Sequence, residues 1–146
     1  MKKYFLLLAV ICTLSFSMVS CSSKDDDSTE TVTFSQKDLL GVWRITHVDL
    51  TKEGSMVDVT SNEMEQMFPP TFATFNADGT YLGEGALGDG KGTYKINGTS
   101  VICYYEGKEF ARYKVLKLNG KTCHLKVTLA YPIAGRKTYQ IICEKQ

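Results

Sequence analysis

Polar and apolar residues alternate with a period of two over most of residues 42–144, and glycine-containing turns interrupt the alternation at short intervals. A period of two is typical of strands with one buried face, and closely spaced turns join such strands into antiparallel hairpins. The pattern predicts an all-β fold of eight strands, with boundaries at 42–50, 71–76, 80–86, 91–97, 99–105, 109–118, 121–130 and 136–144. Eight strands joined in order predict an antiparallel up-and-down barrel.

Two turn sequences predict how neighbouring strands pair. Asn97 and Gly98 are typical of a two-residue type I′ turn, because both tolerate a positive φ, and this turn pairs Tyr94 with Val101. Residues 76–80, with the sequence Asn-Ala-Asp-Gly-Thr, are typical of a type I turn closed by a glycine bulge. Both turns indicate hairpins between strands that are adjacent in the chain.

The connection around Asn119 and Gly120 decides which side of two long strands is buried. A two-residue loop puts charges on the apolar face, because a one-residue slip exchanges the two faces of a strand. A three-residue loop over 118–120 keeps the apolar residues together and pairs Tyr113 with Leu125, so we expect this loop. It leaves three basic side chains on one outer face, namely Arg112, Lys114 and Lys126.

The predicted domain contains three cysteines, two of which face each other. The last hairpin pairs Cys123 with Cys143, which allows a disulfide in an oxidising compartment, although directly opposed strand positions give it poor geometry. Two buried thiols that act as small apolar residues are the alternative. Cys103 also falls on an apolar face, and equal gaps of 20 residues lack the close cysteine pairs of zinc sites.

The segment between the first two strands has a helical pattern. Residues 60–63 resemble a capping box, Met64, Met67 and Phe68 follow at helical spacing, and two prolines end the pattern. This predicts one short helix over an end of the barrel. Its methionines form either a lid over a ligand mouth, since thioethers adapt to irregular apolar shapes, or a plug that completes the core.

The first strand opens with Leu40-Gly41-Val42-Trp43, a Gly-x-Trp sequence that resembles the first strand of lipocalins and other calycins. Residues 39–145 are similar above all to the lipocalin-like domains of Bacteroidota lipoproteins, which share this opening and the turn at 76–80. The resemblance implies a lipocalin-like barrel that binds a small apolar molecule, with Trp43 packing across the closed end. The domain is shorter than a typical secreted lipocalin and shows no long C-terminal helix.

Tyrosines make up much of the predicted inward face, and a buried tyrosine hydroxyl needs a hydrogen-bond partner. An amphipathic ligand or a water-filled end of the barrel would supply these partners, although aromatic residues on a strand face also form ordinary core. An eight-stranded barrel is wide enough either to be filled by side chains or to hold one small ligand. The candidate ligand contacts are Trp43, Met64, Met67, Tyr94, Tyr105, Tyr113 and Tyr139.

Residues 1–20 predict a secretory signal peptide. Two lysines precede an apolar run over 4–14, and small and polar residues follow up to Ser20. The apolar run of 11 residues is too short for a membrane-spanning helix, which needs roughly 20 residues.

Met18-Val19-Ser20-Cys21 resembles a bacterial lipobox, in which cleavage leaves the cysteine acylated. Two or three acyl chains would anchor the protein stably to a membrane. Residues 22–27 resemble the export signal of surface lipoproteins in Bacteroidota, with a plain acidic linker as the alternative. Residues 21–36 are poor in apolar side chains and predict a disordered tether, followed by the barrel domain over 37–146. The expected location is the outer membrane, lipid-anchored and exposed at the cell surface.

Charge is divided between two parts of the chain. Residues 21–90 carry 4 basic and 13 acidic side chains, whereas residues 91–146 carry 11 basic and 3 acidic ones. The basic outer face suits an anionic glycan, lipopolysaccharide or a partner protein, and a solvated face that protects against edge pairing is the alternative. No nucleic-acid recognition motif accompanies it.

Patterns for catalysis or cofactor binding are weak. Residues 85–91 approximate a phosphate loop, but Gly92 stands where Ser or Thr should bind magnesium. His47 and His124 lack a nucleophile in a recognisable context. We therefore expect a non-enzymatic protein without metal or cofactor that binds a small apolar or amphipathic molecule. The alternative is a filled barrel whose basic outer face contacts an envelope partner or an anionic glycan.

Overall fold

The structure is a computed structural model that describes residues 32–51, 53–133 and 135–146. The predicted signal peptide, Cys21 and most of the predicted tether lie outside these ranges. The elements in chain order are α1 (Gln36–Leu39), β1 (Gly41–Asp49), β2 (Met56–Asp58), α2 (Asn62–Glu65), β3 (Phe72–Phe75), β4 (Thr80–Glu84), β5 (Gly90–Asn97), β6 (Ser100–Tyr105), β7 (Lys108–Asn119), β8 (Thr122–Ile133) and β9 (Arg136–Lys145).

The strands form one antiparallel sheet that closes on itself. From β3 to β9 each strand pairs with its sequence neighbour, β1 pairs with β3 on one edge, and β1 pairs with β9 on the other. This closure confirms the predicted eight-stranded up-and-down barrel, with β2 as an additional short strand. β2 pairs with residues 47–49 of β1, and β3 pairs with residues 41–44 on the same edge of β1.

The short helix between the first two barrel strands is confirmed as α2, where the Ser61 hydroxyl accepts a hydrogen bond from the Met64 amide at 3.4 Å. The sequence pattern did not predict α1 or β2. Neither described helix has the length and hydropathy that a membrane crossing needs. Ahead of α1, Val32 and Phe34 already pack against the core, so the packed unit begins several residues before the predicted boundary at 37.

The register of the last hairpin agrees with the prediction, whereas two other registers differ. Cys123 lies opposite Cys143 on β8 and β9, and all three domain cysteines are buried and free. The predicted Asn97-Gly98 turn is wrong by one residue, because Gly98 and Thr99 form the loop and Tyr94 pairs with Cys103. Gly98 has φ +58°, which suits glycine at the first central position of a turn.

The predicted three-residue loop over 118–120 is also wrong. Asn119 pairs with Thr122 across a two-residue loop, and a β-bulge between Val115 and Lys117 then shifts the pairing so that Tyr113 meets Val127. The bulge inserts one unpaired residue, which restores the faces that the short loop would have exchanged. For the residues of β7 that precede the bulge, the predicted inward and outward faces are therefore correct, although the predicted cross-strand partners are not.

The core fills the barrel interior and is rich in aromatic rings. The Phe75 ring contacts three tyrosine rings, with centroids 5.1 Å from Tyr94, 5.3 Å from Tyr81 and 6.5 Å from Tyr113. Rings in tilted and edge-to-face arrangements add favourable contacts beyond their buried area. Around them the largest fully buried side chains in the described ranges are Val48, Val101, Cys103, Val127, Leu129 and Ile141.

Candidate functional site

The barrel has two different ends. At the closed end, where β1 begins, the Trp43 indole donates a hydrogen bond to the Leu39 carbonyl at 2.7 Å. The Lys145 ammonium lies 5.2 Å from the centre of the Trp43 ring and donates to the Asp38 carbonyl at 3.0 Å. These contacts tie α1 and the end of β9 across the barrel, as expected for Trp43 from the family resemblance.

A small interior cavity lies above this closed end. Its volume is about 40 Å³, and its walls include Trp43, Phe75 and Tyr113. A water molecule occupies about 10–15 Å³ on this measure, so the cavity has room for about three waters. It is too small for the ligand that the resemblance places inside the barrel.

The buried tyrosine hydroxyls find partners within the protein. Tyr81 and Tyr113 share a hydrogen bond of 3.1 Å, and Tyr139 donates to the Ile133 carbonyl. Tyr94 donates to the Asn76 carbonyl at 2.8 Å and accepts from the Gln36 side chain at 3.0 Å. A ligand is therefore not required to satisfy these groups, contrary to the argument from sequence.

A larger pocket of about 330 Å³ opens at the opposite end of the barrel, which we call the mouth pocket. Its walls come from the β4–β5 connection, the first residues of β5, the ends of β6 and β8, and the start of β7. The lining residues are Tyr81, Asp89, Gly90, Lys91, Gly92, Tyr104, Tyr105, Phe110 and Tyr131.

Two glycines on β5 help to create this space, because a glycine has no side chain. Gly90 and Gly92 line the pocket, and each follows the alternation that points Tyr94 into the barrel. A Cβ at Gly90 would lie 3.7 Å from the Tyr105 ring, an ordinary contact, whereas a Cβ at Gly92 would lie 1.9 Å from the Tyr104 carbonyl oxygen. Gly92 is thus required for the close approach of β5 and β6, and Gly90 leaves open volume.

The mouth pocket combines a deep apolar part with polar groups from one edge. Tyr81 is buried, Phe110 is half-buried, and Tyr105 and Tyr131 are 50% and 72% exposed. Asp89 accepts a hydrogen bond from the Gly85 amide at 2.6 Å, which holds its carboxylate on the β4–β5 connection, and Lys91 is exposed. Aromatic walls with a few charged groups at one edge are typical of sites for small amphipathic molecules.

The predicted ligand residues do not form one site. Only Tyr105 lines the mouth pocket, Trp43 and Tyr113 line the interior cavity, and Tyr94 and Tyr139 belong to the core. The described structure therefore distributes the seven candidates over several separate places.

The predicted methionine lid is not formed. Met67 is 78% exposed and lines neither cavity, and Met64 packs against the core. The ion pair of 2.9 Å between Glu65 and Arg44 holds α2 beside the outward-facing side of β1. Met64 is therefore part of the packing, as the plug alternative expected, while Met67 faces solvent.

Sequence reasoning missed Tyr81, Phe110 and Tyr131. The period-two pattern assigns Phe110 to the outer face with Arg112, but a β-bulge after the Cys103–Ala111 pair turns it toward the pocket. Tyr131 lies beyond the predicted end of its strand at residue 130, although the same alternation through Val127 and Leu129 points to it.

The three predicted surface residues do share the outer face. Lys114 and Lys126 lie directly opposite each other on β7 and β8, and both are exposed. Arg112 differs, because its guanidinium makes two hydrogen bonds of 3.0 Å to the Glu109 carboxylate. Its charge is thus already paired within the protein.

The three buried cysteines of the core are held as neutral thiols. Burial raises the pKa of Cys123 from 9.0 to about 12, and burial also raises the pKa values of Cys103 and Cys143. A thiol held in its neutral form is a poor nucleophile. In the described ranges, no three His, Cys, Asp or Glu side chains come together as a metal site.

Residues 39–124, more than half of the chain, match the lipocalin-like domain family. Together with the closed eight-stranded barrel, this match shows that the chain belongs to that family. The matched region runs from Leu39, just before β1, to His124 near the beginning of β8, and it includes most of the residues that line the mouth pocket. No curated protein matches the chain.

Proposed function

We propose that this lipocalin-like protein binds a small amphipathic molecule in the mouth pocket rather than deep inside the barrel. The observation that carries this proposal is the difference between the two cavities, which is about 330 Å³ at the mouth and about 40 Å³ in the interior. Sites for small molecules have volumes of about 300–1,000 Å³, so only the mouth pocket reaches that range among those described.

The pocket lining suggests the chemistry of the ligand. The rings of Tyr81, Tyr105 and Phe110 offer apolar and aromatic surface, while Asp89 and Lys91 offer charged groups at one edge. A molecule with an apolar ring or chain and one polar or charged group would match both parts. Binding, without a chemical step on the ligand, is the proposed activity.

We further propose that the protein works outside the cytoplasm, attached to the outer membrane by lipid on Cys21 and exposed at the cell surface. The support is the sequence of residues 1–27, in which a signal-peptide pattern leads into a lipobox-like cysteine and an acidic segment. Replacing Cys21 with Ala should release the protein from the membrane fraction. Continued membrane retention of that variant would contradict the lipid anchor.

Gly90→Leu is the variant that tests the mouth pocket. Gly90 has an ordinary φ and space for a Cβ, so a leucine side chain can enter the pocket without backbone strain. The matched control is Thr93→Leu, which adds a leucine to an exposed outward position of the same strand. Anilinonaphthalene sulfonate, an aromatic amphiphile with one anionic group, serves as the fluorescent probe.

We expect the parent protein and the Thr93→Leu variant to bind the probe saturably with the same affinity. Gly90→Leu should weaken binding at least tenfold while retaining the blue-shifted emission of the buried Trp43, which reports the fold. A Met64→Ala/Met67→Ala variant that keeps its fold should bind like the parent, since neither methionine lines the pocket. Equal binding by parent and Gly90→Leu proteins would contradict the proposal.

A further inference from the structure

A second feature lies on the outside of the barrel, on the outward faces of β5 to β8. We call it the basic wall and define it by Lys95, Lys114, Lys117 and Lys126, all of which are exposed. Lys114 and Lys126 are direct cross-strand partners in the centre of the wall, and Lys117 pairs with His124 in the same two strands. Lys95 lies on β5, across from Ile102.

The central lysine pair is unfavourable for folding. Side chains directly opposite each other on antiparallel strands have Cβ atoms about 4.5–5.5 Å apart, and like charges in such pairs are destabilising. Within the described ranges, no acidic side chain forms a salt bridge with Lys114 or Lys126. All three salt bridges found there use arginine, and the Glu109 carboxylate is engaged by Arg112.

The direct cross-strand neighbours of the lysine pair are neutral hydrogen-bonding groups. Ser100 lies beside Lys114, Gln140 lies beside Lys126, and Asn97 follows Ser100 in the same row across the sheet. The next row holds Thr128 and Thr138, which are also direct partners, and Arg112, whose charge is paired with Glu109. The wall therefore offers positive charges interspersed with hydroxyl and amide groups.

Apolar surface is scarce on the wall. The large apolar side chains exposed in the described ranges are Val42, Leu50, Met67, Tyr105, Leu116, Tyr131 and Ile133, and only Leu116 belongs to the middle of β7. Ile102, although it lies on the outward face, is 6% exposed. Protein interfaces have an apolar centre, and insertion into a lipid surface also requires exposed apolar side chains.

We propose that the basic wall binds an anionic polysaccharide, a linear chain with repeated carboxylate or sulfate groups. Such a chain supplies the negative charges that the lysine pair lacks, and its hydroxyl groups match the serine, threonine and amide side chains between the lysines. Strands lie about 4.8 Å apart, so the row from Asn97 on β5 to Lys126 on β8 covers three strand spacings, or about 14 Å along the sheet, and Lys95 lies two residues from Asn97 on the same outward face. That span allows several sugar units to contact the wall at once.

The wall is distinct from the mouth pocket in its residues and in its ligand. Lys114 and Lys126 do not line that pocket, and the pocket residue Lys91 is not part of the wall. Binding of polysaccharide and binding of the small amphiphile can therefore be tested independently on the same protein.

The test measures binding of heparin, a sulfated polysaccharide, to the purified protein by isothermal titration calorimetry at low and at physiological salt. The wall variant is Lys114→Gln/Lys126→Gln. The control is Lys37→Gln/Lys108→Gln, which removes the same number of charges from exposed positions in α1 and at the start of β7. Neutral dextran and anionic phospholipid vesicles are titrated in parallel.

We expect the parent to bind heparin and not dextran, with weaker binding at higher salt because the charges are screened. The wall variant should bind at least tenfold more weakly, and the control within threefold of the parent. The wall variant should also unfold at an equal or higher temperature, since it loses a like-charge pair, so loss of binding would not reflect misfolding. An equal loss in both variants, no heparin binding by the parent, or binding to vesicles in preference to heparin would overturn the proposal.

Discussion

Reversing one charge of the Lys114–Lys126 pair should stabilise the protein. The Cβ atoms of the pair are about 5 Å apart and the flexible ammonium groups can lie further apart, so about 0.8 kcal/mol is the upper value of their repulsion in water, and opposite charges in a cross-strand pair are worth about 0.2–1 kcal/mol. Lys126→Glu both removes the repulsion and adds an attraction of similar size. We therefore expect a gain of about 0.5–2 kcal/mol in the free energy of unfolding at low salt.

The change is large enough to measure as a melting temperature. One kcal/mol shifts the melting temperature by about 4–8 °C for domains of 60–100 residues and by about 2–4 °C for larger ones, so a rise of roughly 2–8 °C follows. Circular dichroism during thermal unfolding would record it for four proteins, namely the parent, Lys114→Glu, Lys126→Glu and the double variant. In the double variant two carboxylates face each other, and its melting temperature should return toward that of the parent.

Two results would refute this reasoning. Either single reversal could lower the melting temperature, or the double variant could be the most stable of the four. The gain should also shrink in concentrated salt, where the Debye length falls to about 3 Å at 1 M. A gain independent of salt would show that the two lysines do not repel each other in the folded protein.

Three further predictions concern the barrel itself. Tyr113→Phe should lower the free energy of unfolding in urea by about 1–3 kcal/mol, because it leaves the buried Tyr81 hydroxyl without its partner. The Tyr81→Phe/Tyr113→Phe double variant should lose less than the sum of the two single variants. The free energy of unfolding should fall as the pH rises above about 9. Burial raises the folded-state pKa values of Tyr81, Tyr113 and the three cysteines, so the unfolded chain ionises first. Cys123→Ala should reduce this fall, and a free energy of unfolding that is constant up to about pH 12 would contradict the prediction. Gly92→Ala should prevent normal folding, judged by near-ultraviolet circular dichroism, whereas Gly90→Ala should fold like the parent.

Alternation along the strands was sufficient to predict the barrel and the last hairpin. On β8 and β9, apolar residues occupy every second position from Cys123 to Val127 and from Tyr139 to Cys143, and only one register brings the two sets together. The turn residues were less decisive. Asn97-Gly98 and Gly98-Thr99 are both acceptable loops, and the choice between them keeps the same residues inside.

Bulges account for much of what the sequence did not reveal. β7 has one extra residue near Leu116 and another at Phe110, and both change the cross-strand pairing. The one at Phe110 also changes the face on which the side chain lies. Neither can be recognised from the pattern of polar and apolar residues. The mouth pocket was also hidden because Gly90 contributes to it through a missing side chain. Tyr105 was predicted as a ligand contact for its inward position, and that position does place it in the pocket.

The central claim is that a small amphiphile binds at the mouth of the barrel, and nuclear magnetic resonance can locate it directly. Titration of the isotope-labelled protein with anilinonaphthalene sulfonate should shift the backbone signals of Gly90, Tyr105, Phe110 and Tyr131, which surround the mouth pocket. Signals from Trp43 at the closed end should remain in place. Shifts centred on Trp43 and the interior cavity, or on the exposed Met67, would contradict the claim.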